Sequence, residues 1–112
     1  MKVIKKGQCV LIQADSNSKI ADYAKWLQDN WAKKIDDANI VLDLLPYSKL
    51  NLDQLLLFWE LSNTHRANKR SFVFVNTGID YDDIPDEMLV VPTIQEAEDI
   101  IKMEEIERDL GF

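Results

Sequence analysis

The sequence predicts an α/β domain in which helices pack on a mixed sheet of four or five strands. Three observations predict it. Ile40-Val-Leu-Asp-Leu-Leu45 is an apolar run interrupted only by Asp43, and a short run of this kind reads as a strand covered on both faces. Ser71-Phe-Val-Phe-Val75 is a second such run. Before, between and after these runs, apolar residues recur at helical spacing, as at Ile20, Ala24, Leu27 and Trp31.

The chain of 112 residues is long enough for one domain with a core and too short for two. We therefore read 1–112 as a single domain, with 101–112 as a helical extension. Hydrophobic residues make up 46% and charged residues 29%, a soluble balance. No apolar run approaches the ~20 residues that span a bilayer, and Met1-Lys-Val-Ile-Lys-Lys-Gly-Gln8 is not followed by the apolar stretch of a secretory signal. The one cysteine, Cys9, has no partner for an internal disulfide, so a reducing, cytoplasmic setting is expected. The net charge of −7 is uneven. Residues 1–78 carry 11 basic and 8 acidic side chains, whereas 79–112 carry 2 and 12. Such a chain has little attraction for nucleic acid or anionic lipid.

Taken in order, Lys2–Lys5 and Gln8–Gln13 read as two strands turning at Gly7. Cys9 falls in the second and reads as a buried, inert thiol, because no basic residue adjoins it. Asp15-Ser-Asn-Ser18 is a turn and cap cluster. A helix then runs to about Lys34, with Tyr23 and Trp26 on its flank. Asp36-Asp37 leads into the central strand, which Pro46 stops. Asn51 reads as an N-cap, with Asp53 and Gln54 in the first helical turn. That helix runs from Leu52 to about Arg66 or Asn68. Leu52, Leu55, Leu56 and Trp59 share one face, and Leu57, Phe58 and Leu61 fall roughly opposite. A helix apolar on both sides is buried between elements or offers a spare face to a partner. Asn76-Thr-Gly78 is a turn, Ile79–Met88 an acidic loop, and Leu89-Val-Val91 a last strand before Pro92. Thr93-Ile-Gln-Glu96 is a capping box. It opens a helix with Ile94, Ala97 and Ile101 on one face, which ends at Gly111. Ile100, Met103, Ile106 and Leu110 continue an apolar stripe that is expected to dock on the domain.

Little here supports catalysis. The three glycines form neither a P-loop nor a dinucleotide fingerprint. The acidic loop lacks EF-hand spacing, so no metal site is expected. The single histidine, His65, sits at what reads as a polar helix end, away from any nucleophile motif. We expect no catalytic residues and no cofactor.

Most of the chain, roughly Gln8 to Ile101, resembles the STAS family, the domain of anti-sigma factor antagonists and sulphate transporter tails. The order strand–strand–helix–strand–helix–strand–strand–helix is similar to that family's. Ile40-Val-Leu-Asp-Leu44 resembles its central strand, and Thr93-Ile-Gln-Glu-Ala97 its closing Thr-Leu-x-Glu-Ala helix start. The resemblance implies a protein-binding regulator of bacterial-type signalling or transcription rather than an enzyme, with an anti-sigma factor or kinase-like regulator as partner. It places the contact at the helix mouth, so the candidate partner-binding residues are Ser48, Asn51, Asp53, Leu57, Phe58 and Leu61; the spare apolar face could also serve a homodimer. The family's Asp-Ser-Ser/Thr-Gly phosphorylation motif is here Asn51-Leu-Asp-Gln54. Asp53 therefore stands at the phosphosite-equivalent position with a fixed negative charge, or is an ordinary first-turn carboxylate. The helix usual between the family's last two strands is reduced to the loop Ile79–Met88. An alternative resemblance is to response-regulator receivers, with Asp43 of Asp43-Leu-Leu-Pro46 as phosphoacceptor, Asp15 for the acidic pocket and Thr77 for the switch hydroxyl. One strand–helix unit too few separates Asp15 from Asp43 for that arrangement, and Val90-Val-Pro92 stands where a Lys-Pro belongs.

Overall fold

Five strands form one sheet in chain order: β1 (Lys2–Lys6), β2 (Cys9–Gln13), β3 (Asn39–Asp43), β4 (Phe72–Val75) and β5 (Leu89–Val91). The structure is a computed structural model that describes residues 1–7, 9–14, 18–34 and 38–111, the side chains of 31–34 excepted. Asp15 to Asn17 of the cap cluster, the Asp36-Asp37 loop and the Trp31 side chain thus lie outside the described residues. β1 pairs antiparallel with β2 across Gly7, which takes φ +60, a backbone conformation open to glycine at no steric cost. All later pairs are parallel. The predicted mixed sheet is present, with all five strands.

The connections from β2 to β5 each step one place in the same direction. Right-handed crossovers therefore all lie on one face. That face carries α1 (Ile20–Lys34) and the segment from α2 (Leu52–Leu55) through a 3-10 turn (Leu56–Phe58) to α3 (Trp59–Ala67). Val10, Ile12, Ile40, Leu42, Phe72 and Phe74 meet these helices in the larger core. The alternate strand residues, Leu11, Val41, Val73 and Val75, point the other way and meet Ala97 and Ile101 of α4 (Ile94–Asp109). Both faces of β3 and β4 are thus covered, which is why these strands read as unbroken apolar runs. Leu42, Leu44, Val73 and Val75 are all fully buried, as expected. β1 is an edge strand exposed along its length, and its lysines discourage edge-to-edge pairing.

Four expectations are corrected. Tyr23 is not on a flank: its ring is fully buried and its hydroxyl donates to the Ile12 carbonyl at 2.9 Å. His65 is buried rather than at a polar end, with Nε2 against the Ala38 carbonyl and the ring edge-on to Phe72. The helix from Leu52 is interrupted by the 3-10 turn, and its buried stripe is Leu55, Phe58, Ser62 and His65. Finally, Met103, Ile106 and Leu110 do not dock; they are 62%, 59% and 66% exposed. The phase of α4 is set by Ala97 and Ile101 on the sheet. Steps of three, four and seven from Ile101 reach Glu104, Glu105 and Arg108, so the far half docks through polar side chains. Glu104 pairs with Arg66 at 2.8 Å, Glu105 accepts from Asn39 at 2.9 Å, and Arg108 donates to Ser71 Oγ at 3.1 Å. The helix is continuous through 101 and stops at Gly111, φ +82.

Candidate functional site

Loops that leave the carboxyl ends of parallel strands are where open α/β sheets keep their sites. Here β3 ends at Asp43 and β4 at Val75, side by side. The loop 44–51 after β3 and the loop 76–88 after β4 are held together by one side chain. Asn76 is buried; its Nδ2 donates to the Leu44 carbonyl at 2.8 Å and to the Tyr47 carbonyl at 3.0 Å. Its Oδ1 accepts from Gly78 N at 2.8 Å and Ile79 N at 3.0 Å. The amide thus uses both its donors and both its lone pairs. Tyr47 extends the connection by donating from its hydroxyl to the Ser18 carbonyl at 3.0 Å. From the sequence alone Asn76 reads only as a turn residue. An Asn directly after a buried strand, followed by Gly, was the available signal.

The helix mouth forms as its residues require. Asn51 caps α2, with Oδ1 accepting from Gln54 N at 2.9 Å, while Gln54 Oε1 accepts from Asn51 N at 3.1 Å. This reciprocal box satisfies two backbone donors that the helix start leaves open. Ser48, Asn51 and Asp53 are exposed around it. Leu57 is 42% exposed and so is its neighbour Leu56, at 40%. Phe58 and Leu61 do not join them. Phe58 is fully buried, edge-on to Tyr23 at 5.9 Å and tilted against Phe74 at 6.0 Å. Leu61 is half-buried against the same core. Phe58 is therefore corrected from contact residue to core residue: the stripe that carries Leu55 and Ser62 inward carries it too.

Asp43 is buried at the end of β3. Its Oδ2 accepts from Gln13 Nε2 at 3.0 Å and its Oδ1 from Leu45 N at 2.9 Å. Both oxygens are engaged within the fold. Burial, aided by the Asp43 charge, pushes the Tyr23 phenol far above the ordinary tyrosine range. Cys9 is buried on the opposite face of the sheet, and burial pushes its thiol up as well. A raised pKa keeps the thiol protonated and unreactive near neutral pH.

Beside the mouth, Leu56 and Trp59 form one wall of an open cleft of about 430 Å³, and Pro85 the other. Pro85 follows a short 3-10 turn, Tyr81–Asp83, capped by Asp80 Oδ1 accepting from Asp82 N at 2.9 Å. Among the described residues, no group of three or more His, Cys, Asp or Glu side chains is placed to hold a metal ion, and no helix is long and apolar enough to cross a membrane. In comparison with known proteins, the chain matches no family model and no curated protein.

Proposed function

We propose that this chain is a non-catalytic, STAS-like module that regulates bacterial-type signalling or transcription by binding a protein partner at the α2 mouth. The observation that carries the reading is the pair of adjacent leucines, Leu56 and Leu57, left exposed beside the exposed polar mouth Ser48, Asn51 and Asp53. Apolar side chains next to a polar rim, held on a firm backbone, are the makings of a contact surface. The knitted loops supply the firmness, and the observed element order agrees with the order on which the family resemblance rests. An anti-sigma factor or kinase-like regulator is the class of partner that this resemblance implies.

Asp53 holds a negative charge in the first turn of α2. A phosphate-like role would make it a fixed electrostatic contact for a cationic partner residue. The receiver-like alternative is weakened by Asp43, whose buried and doubly engaged carboxylate is poorly placed to attack a phosphodonor.

The test is capture of partners from the native host by wild type, Leu57→Asp and Asp53→Lys, each first shown to be folded. Loss of one specific partner with both variants supports this surface. A partner retained equally by both variants places the contact elsewhere.

A further inference from the structure

The cleft beside the mouth has a chemistry of its own. Its apolar walls, Leu56, Trp59 and Pro85, come from two stretches of chain, residues 50–64 and 71–101. Neither stretch contains a single Lys or Arg. Both contain exposed carboxylates close to the walls in sequence. Asp53 lies one helical turn before Leu56, Glu60 follows Trp59, and Asp83 and Asp86 flank Pro85. The far wall is fixed in place: the Pro85 carbonyl accepts from Met88 N at 3.0 Å, Met88 is buried, and Ile84 packs on the core.

We propose that this cleft seats a bulky apolar side chain of a partner segment in which Lys or Arg flanks that anchor. The proposal rests on the protein-binding reading above and names the chemistry of the partner. The apolar walls cover part of the anchor, and the exposed carboxylates next to them in the chain favour cations and repel anions. A second copy docked cleft to cleft is a poor occupant, because it would bring carboxylates against carboxylates. The acidic surroundings equally disfavour nucleic acid and anionic lipid. Aromatic and aliphatic anchors carry most of the energy of such contacts, while charges set selectivity and salt dependence.

Trp59 in the wall gives the readout. The full chain is titrated with the peptide Lys-Lys-Leu-Phe-Lys-Lys, following tryptophan emission in wild type and Trp59→Phe and heat release in both. Two control peptides are Lys-Lys-Ala-Ala-Lys-Lys and Glu-Glu-Leu-Phe-Glu-Glu. The expected result is saturable binding of the first peptide with an emission change that Trp59→Phe removes, and binding about tenfold weaker or worse for both controls. Leu56→Ala and Asp83→Lys/Asp86→Lys should each weaken the first peptide by about tenfold, and raising NaCl from about 0.05 M to about 0.3 M should weaken it further. Equal binding of the anchorless peptide, or indifference to Leu56→Ala, would overturn the proposal, as would a dimer of the free chain that Leu56→Ala dissolves. The two readings fail separately. A native partner lost with Leu57→Asp and Asp53→Lys, beside peptide binding that ignores Leu56, sinks only the cleft; the reverse pattern sinks only the mouth.

Discussion

Gly78 lies so close to Ser48 that a Cβ on it would stand 2.0 Å from the Ser48 carbonyl oxygen. The contact joins the two loops that Asn76 also ties together. Backbone cannot move aside as a flexible side chain can, so Gly78→Ala must push the loops apart. We expect a loss of roughly 1–3 kcal/mol, the usual cost of overpacking, read as a lower midpoint in urea. Asn76→Ala should cost about as much, since it strands two carbonyls and two N–H groups. If Gly78→Ala melts unchanged, the loops are not in contact.

The two neighbouring residues Leu57 and Phe58 separate core from surface at the candidate contact. Phe58→Ala removes a fully buried ring and should cost about 3–5 kcal/mol. Leu57→Ala should stay within about 0.5 kcal/mol, as exposed substitutions do. Equal losses would mean that the segment is rotated from the phase described here.

Ser62 presents the opposite case. It is fully buried in the stripe of Leu55, Phe58 and His65, and its Oγ has no hydrogen-bond partner among the described residues. A buried hydroxyl without a partner keeps its desolvation cost. Ser62→Ala also raises helix propensity. The variant should be more stable by about 1 kcal/mol, measured by thermal melting. Destabilisation would show that the hydroxyl is bonded in solution, for example to a buried water.

Much of this fold was legible because strands and helices differ in period. The apolar runs of β3 and β4 and the helix starts at Asn51 and Thr93 were read from local pattern alone. Helix phase was the harder matter. In a leucine-rich segment such as 52–61 several stripes satisfy helical spacing, and the one that turns inward is decided by the sheet it meets. The stripe chosen includes Ser62 and His65, polar residues that no hydropathy argument selects. The same holds in α4, where Met103, Ile106 and Leu110 are well spaced but face away from the sheet. Ile101→Ala should therefore cost about 2–4 kcal/mol, while Ile106→Lys should change stability by less than about 0.5 kcal/mol. A large loss with Ile106→Lys in denaturant titration would restore the docked stripe. Asn51 and Asp53 were legible from capping chemistry, whereas Ser48 entered only with the family resemblance. The cleft was not, because Pro85 reaches Leu56 and Trp59 only through the tertiary fold.

The polar docking of the far half of α4 makes a pH-dependent prediction. Glu105 pairs with Arg108 and accepts from Asn39 Nδ2 at 2.9 Å. The bond from Arg108 first, and that from Asn39 second, hold its carboxyl below the usual value of 4.5. A carboxylate whose pKa is depressed by folding stabilises the native state above the unfolded value and loses that contribution as pH falls through the folded one. The Glu105 side chain is 24% exposed, so water screens part of the effect. Glu105→Gln should be less stable than wild type near neutral pH. The gap should narrow as pH drops from about 5 to about 3, because only the wild type has a carboxylate to protonate. Urea titrations of both proteins across that range measure it. A gap that stays constant with pH would mean that Glu105 acts as a hydrogen-bond acceptor alone and that its charge contributes nothing to holding α4 on the sheet.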